Sequence, residues 1–201
     1  MDTFDAIYQR RAVKAYDPEH VMPDADIDKL MAATVQSPTS FNMQNWRFVL
    51  VRDPAMRQQV RAAAMEQAQI TDASLLVVLT ADLNAWAKEP ARYWRDAPPA
   101  AAEMLVNWMG PFYDGKDQLQ RDEAMRSCGI AGQTLMLAAK AMGYDSCPMI
   151  GFDSDAVAKL IRLPEDHVIG FIVVVGKATA PAWKKPGQLE LNEVVVLDRF
   201  D

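Results

Sequence analysis

The chain is poor in the residues that build metal and disulfide centres, with two cysteines and two histidines in 201 residues. Cys128 and Cys147 are too few for a disulfide framework and form no C-x-x-C pair, and a thiol with neither role is ordinarily a small buried apolar side chain. His20 and His167 stand apart in sequence, so no zinc-type ligand spacing can be assembled and no metal is expected. Positive charge is also scarce: 21 Lys and Arg against 27 Asp and Glu leave a net charge of -6. Phosphate backbones select clustered basic residues, so this balance argues against a nucleic-acid partner. Long apolar runs are missing, and without about 18 consecutive apolar residues a membrane span is not expected. Met1 to Ile7 carries Asp2 and Asp5 where a secretory signal would place basic and then apolar residues, so a reducing cytoplasm is the expected location.

What the chain does have is apolar material, 50% of its residues, enough for the core of one domain spanning 1–201. Phe4, Ile7 and Tyr8 recur at helical spacing, which predicts a helix from Thr3 to Val13. A second helix is predicted from Asp24 to Gln36, with Asp24 as N-cap after Pro23 and Ile27, Leu30 and Met31 as its buried stripe. Ser37-Pro38 breaks it. Trp46 to Val51 reads as a strand, closed by Asp53-Pro54, which starts a helix running to about Met65. Leu75 to Leu79 and Ile169 to Val175 are unbroken apolar runs of β-formers, the pattern of strands covered on both faces. A long helix from Gln118 to Met142 carries small residues around Gly129 and Gly132 and ends at Gly143. Between strand and long helix, Asp82 to Tyr113 holds Trp86, Trp94, Trp108 and four prolines, and reads as irregular helical material forming a lid. A short helix is expected from Ser154 to Ile161. Leu189 to Leu197 alternates like a strand with no hairpin partner in sequence.

Four segments are candidates for chemistry. Arg10 and Lys14 would share one helical face if the first helix continued, and an external anion such as a phosphate would relieve their mutual repulsion. A solvated basic helix end explains the same residues. The run Ser37-Pro38-Thr39-Ser40-Phe41-Asn42-Met43-Gln44-Asn45-Trp46 is dense in neutral donors and acceptors suited to the edge of a polar heterocycle, or else an ordinary Asx-type turn. Cys147-Pro148-Met149-Ile150-Gly151-Phe152 reads as a loop laying backbone amides against a flat ring, or as a short strand. Lys184-Lys185 is a second basic patch, or a solvated loop.

The order of R-R-A-V-K near residue 10, then S-P-T-S-F-N-M-Q-N-W, then G-I-A-G-Q-T-L-M-L-A-A-K-A-M-G-Y-D-S-C-P-M-I-G-F resembles the nitroreductase family of FMN flavoproteins, from about Phe4 to Val196. The resemblance implies an α+β sandwich with a mainly antiparallel sheet flanked by helices, in an intertwined homodimer with two FMN sites at the interface. The segment 180–201 would be an arm swapped to the partner, and 82–113 the wall or lid of an acceptor pocket. Carried over by position, Arg10 and Lys184 or Lys185 would hold the FMN phosphate, with Arg11 and Ala12 beside them, and Lys14 would approach the N1/O2 edge. Pro38, Thr39, Ser40, Asn42 and Gln44 would come from the second subunit, Gln69 would meet the pyrimidine edge, and Pro148, Met149, Ile150 and Gly151 would line the ring near N5. Ala12 stands where the family has serine, Asn45 where it has proline, and Ile150 where some members carry glutamate. The implied activity is NAD(P)H oxidoreduction of small electron-poor acceptors such as nitroaromatics, quinones or enones, with no protein acid, base or nucleophile named. A binding protein that sequesters FMN without turnover carries the same clamp. No residue run reads as a dedicated 2′-phosphate site, so NADH and NADPH stay open.

Overall fold

A computed structural model describes residues 1–200. Its elements are α1 (Thr3–Gln9), α2 (Asp24–Thr34), β1 (Trp46–Leu50), α3 (Pro54–Ala63), α4 (Gln69–Asp72), β2 (Leu75–Asp82), α5 (Pro99–Tyr113), α6 (Asp117–Ala141), β3 (Asp145–Met149), α7 (Ser154–Leu160), β4 (His167–Gly176) and α8 (Leu191–Val194). The strands form one sheet in the order β1-β2-β4-β3, every neighbouring pair antiparallel.

The two apolar runs are the central strands. Side chains alternate across a strand, so Leu75, Val77 and Leu79 join Leu30, Leu135 and Val173 on the side of α2 and α6. Leu76 and Val78 face the other way, into a cluster with Val60, Val157, Ile172 and Val174 beneath α3 and α7. Helices on both faces demand apolar residues along β2 from Leu75 to Leu79, which is why its pattern does not alternate there, and the buried Thr80 and Asp82 that follow are satisfied by the Arg47 carbonyl and by Lys88.

Long α6 lies against β4 where side chains are absent. A Cβ on Gly132 would lie 2.1 Å from Phe171 Cζ, and one on Gly170 would lie 2.6 Å from Cys128 Cβ. Gly170 also sits at the break in β2–β4 register, opposite Leu79 and Thr80, so the bulge and the close helix approach use the same glycine. Burial in this seam pushes the Cys128 thiol up to about 12, an inert structural cysteine. Gly143, at φ +80, ends α6 in the left-handed conformation that glycine adopts without cost.

Several expectations need correction. Helix α1 stops at Gln9: Arg10 turns extended at ψ 131, and Val13 N–H donates to the Ser146 carbonyl at 3.1 Å, so the chain leaves the helix to run beside β3. In α2 the N-cap position belongs to Pro23, and the Asp24 carboxylate instead accepts from Arg52 at 2.8 Å. The segment 82–113 is less irregular than expected: β2 extends through Asp82, two short 3-10 turns follow at Ala85–Ala87 and Pro90–Trp94, and α5 is a regular helix of 15 residues. Its aromatics bury a satellite core of Met43, Ala85, Tyr93, Met109 and Tyr113, with Trp86 and Trp94 against it. Residues 189–197 form no strand. Glu190 and Glu193 make a reciprocal capping box that closes the four-residue α8, and the segment is exposed throughout. Asp201, the last residue of the expected arm, lies outside the described residues.

One polar cluster pins the start of that satellite layer to the sheet. Lys88 Nζ bridges Asp82 at 2.8 Å and Asp166 at 2.5 Å, while His167 Nδ1 sits 2.7 Å from Asp166. Among the described residues this is the grouping with metal-ligand chemistry, and the ammonium already lies between its two carboxylates. The Lys88 hydrogen bond, followed by that of His167, holds the Asp166 carboxyl down at about 2. A depressed folded-state pKa stabilises above the unfolded value of about 3.9 and is lost as pH falls toward 2. Urea midpoints of Lys88→Ala and the parent should therefore differ most above about pH 4 and converge near pH 2; a gap independent of pH would contradict this reading.

Candidate functional site

Segment 10–16 is held in a groove of backbone hydrogen bonds. Ala12 bridges to Ser146 of β3, Tyr16 bridges to Ala178 beyond β4, and Thr179 N–H donates to the Ala15 carbonyl at 3.1 Å. This lacing draws the N-terminal cations, the exposed side of β3 and the chain after β4 together. The result is a cavity of about 570 Å³ walled by Arg10, Lys14, Pro148, Trp183, Lys184 and Lys185, with Arg11 and Ala12 at its edge. Its size falls within the range of small-molecule sites.

The cations differ in their commitments. The Arg11 guanidinium turns back on α1 and donates to the carbonyls of Tyr8 at 2.7 Å and Arg10 at 2.8 Å, so it caps the helix end. Lys185 Nζ donates to Gln188 at 3.2 Å. Among the described residues, the side chains of Arg10, Lys14 and Lys184 make no hydrogen bond or ion pair. The charges of Lys14 and Arg10 reach Cys147: burial pushes its thiol up, and these two cations pull it part of the way back. Three cations around one cavity, without carboxylate partners, form a site for an anion, and a guanidinium beside ammonium groups suits phosphate.

Strand β3 decides which of its residues can face that cavity. The strand reading of Cys147-Pro148-Met149 is the one found, and Pro148 is tolerated because β3 is an edge strand. Pro148 points to the open side. Met149 points away, buried among Val60, Ile172 and Val174, so its side chain lines nothing and only its backbone can. Ile150 is 84% exposed just beyond the strand. Gly151 is tied down by Gln67, whose Nε2 donates to the Gly151 carbonyl at 2.9 Å, while Gln69 Nε2 donates to Gln67 Oε1 at 3.0 Å. Gln69 is thereby buried and oriented. Gln67 escaped the sequence reading because its partner is 84 residues away, although the left-handed Met65 and Glu66 just before it, both at φ 54, mark a constrained turn.

The second motif lies elsewhere. Pro38, Thr39, Ser40 and Asn42 line a separate cavity of about 570 Å³ with Phe41, Trp94, Leu105 and Trp108. Within one subunit the structure does not bring them to Arg10. The loop is strained and strongly braced: Phe41, Asn42 and Gln44 all have φ between 43 and 52, a region costly for side-chain-bearing residues. Asn42 Nδ2 donates to the Tyr93 carbonyl and Tyr113 Oη to Ser40 Oγ, both at 2.8 Å, and Gln44 N–H donates to Thr39 Oγ1 at 2.9 Å. These bonds fix the loop from the aromatic segment that the sequence suggested only as a lid. Strain held by such bracing is characteristic of binding loops.

The sequence model of the Nitroreductase family matches residues 7–177. Protein DrgA of Synechocystis is 56% identical over 204 residues, covering 99% of this chain and 97% of the relative. The NADH dehydrogenase of Thermus thermophilus is 30% identical, covering 88% and 86% of the two chains. A protein of Exiguobacterium sibiricum solved in complex with FMN superposes with a TM-score of 0.90 at 21% identity, covering 98% of both chains. With the match spanning the groove segment, the braced loop and the sheet that positions them, this chain belongs to the nitroreductase family.

Proposed function

We propose that the chain is an FMN-dependent NAD(P)H oxidoreductase acting on small electron-poor acceptors such as nitroaromatics, quinones or enones. The observation that carries this reading is the cavity in which Arg10, Lys14 and Lys184 stand beside Pro148 without a hydrogen-bond or ion-pair partner among the described residues. An FMN phosphate fits that donor set, with Arg10 giving a forked contact and Lys184 a point charge, Lys185 being drawn toward Gln188. Lys14 places a positive charge where the reduced isoalloxazine would be anionic, at its N1/O2 edge. Gly151, held by Gln67, and Gln69, oriented by the same Gln67, would then meet the ring near N5 and at its pyrimidine edge. When bound, FMN supplies reversible acceptance of reducing equivalents at N5, so nicotinamide and acceptor take turns on one exposed face.

In this reading the site is completed by a second copy. Pro38, Thr39, Ser40, Asn42 and Gln44 line cavities other than that of Arg10 within the subunit, and the exposed part of the expected arm beyond Lys185, with apolar Leu191, Val195 and Leu197, would cross to the partner while Trp183 to Lys185 stay at the cavity. The layer at 82–113 would wall the acceptor pocket. Steady-state rates with NADH or NADPH against quinone, nitroaromatic and enone panels test the turnover. Parallel double-reciprocal lines are expected for donor and acceptor sharing one site in turn; intersecting lines, requiring both bound at once, would contradict it.

A further inference from the structure

A third cavity, of about 550 Å³, lies beside the braced loop and is lined by Arg47, Arg92, Arg95, Trp46, Trp94 and Asp96. Three guanidinium groups, against the lining Asp96 and against Asp82 behind Arg47, leave a local cationic excess in a chain whose net charge is -6. Their free valences differ. Arg47 spends NH1 on the carbonyls of Gln44 and Trp46, both at 2.8 Å, and lies 4.0 Å from Asp82, so it serves as a wall. Arg92 gives one nitrogen to Tyr93 Oη at 2.8 Å while its guanidinium carbon rides 4.8 Å above the Tyr93 ring centroid. Among the described residues Arg95 meets only Asp96, at 3.5 Å. Both therefore keep unused donors, presented in the fork geometry that suits phosphate. Trp46 is buried and the Tyr93 ring already carries Arg92, so the half-buried Trp94 indole supplies the apolar surface on which a flat heterocycle can stack.

We infer that this cavity binds the phosphorylated adenosine half of the nicotinamide dinucleotide, with Arg92 and Arg95 on its phosphate and the base against Trp94. The position agrees with the role: Asn42 and Trp94 are common to this cavity and to the one formed by Pro38 to Asn42, so the two open onto the same loop. The inference rests on the proposed use of a nicotinamide donor, which would put its reacting ring near that loop. The sequence hides the cavity because Arg47 lies in β1 and the other two arginines in the aromatic segment.

Titration calorimetry of the FMN-loaded protein with 2′,5′-ADP and with 5′-AMP tests the pocket without any turnover. Binding of 2′,5′-ADP is expected, weakened about tenfold or more by Arg92→Gln and by Arg95→Gln, the scale of one lost charge-assisted contact. Tighter binding of 2′,5′-ADP than of 5′-AMP identifies the 2′-phosphate, and hence NADPH, as the group held; equal binding identifies the 5′-phosphate. Either agrees with the inference. In donor kinetics the same substitutions should raise KM by the same factor and leave the limiting rate of flavin reduction unchanged. Absence of binding by both probes, or affinities unaltered in both variants, overturns it. Probe binding to a protein whose flavin no nicotinamide reduces would leave the pocket standing and remove the proposed activity.

Discussion

Arg10→Ala should weaken FMN binding by roughly 1.5–3 kcal/mol, a rise in dissociation constant of about 10- to 150-fold. The size follows from what the side chain faces. Arg10 ends α1, has no hydrogen-bond or ion-pair partner among the described residues, and lines the cavity shared with Lys14 and Lys184. Under the proposed clamp its loss would remove a phosphate contact without freeing a carboxylate of the described residues, and fold stability in the absence of flavin should stay nearly constant. Arg11→Ala is the internal control. That guanidinium already donates to the Tyr8 and Arg10 carbonyls, so its removal should fray α1 more than it weakens flavin binding. Fluorescence quenching of FMN on titration measures both; equal losses in the two variants would contradict the distinction.

Gly170→Ala should lower stability by about 1–3 kcal/mol through overpacking, a fall in Tm of roughly 2–12 °C for a chain of this size. The added methyl would stand 2.6 Å from Cys128 Cβ and 2.9 Å from its Sγ. A Cβ is fixed by the backbone of α6, so rotation of the cysteine cannot relieve the clash, and helix and sheet must separate. Cys128→Ala, which keeps the Cβ, should not rescue Gly170→Ala. Cys128→Gly should recover part of the loss despite its own cost of about 1 kcal/mol within a helix. Calorimetric Tm values for the four proteins decide the point, and rescue by Cys128→Ala would place the strain on the sulfur instead.

The sheet's central strands were legible because burial on both faces leaves an unbroken apolar run, as in Leu75 to Leu79. That run fixed neither strand order nor direction, which depend on contacts between distant segments such as Leu75 with Val175. The end of α1 was misread for a tertiary reason. Helical spacing continues to Val13, but the pairing of Ala12 with Ser146 and Tyr16 with Ala178 gives the backbone better partners than another helical turn. The tail misled in the opposite sense: its alternation promised a strand, yet among the described residues no strand pairs with it, and local capping by Glu190 and Glu193 prevails. In the site, Arg10, Lys14, Lys184 and Lys185 could be named from sequence order, and one cavity gathers them. The difference between Arg10 and Arg11, the inward turn of Met149, the Gln67 bond to Gly151 and the arginine cavity depend on side-chain direction, which spacing alone does not carry.

On the proposed function this cavity holds FMN, and the bound flavin is reduced by a nicotinamide. Anaerobic mixing of the FMN-loaded protein with NADH and with NADPH measures it most directly, followed at the visible flavin band. The expected result is a yellow protein that bleaches with at least one donor and recovers its colour when a quinone is added. A protein that retains FMN but bleaches with neither donor would contradict the oxidoreductase reading in favour of a flavin-binding module, and one that takes up no FMN would contradict the site itself.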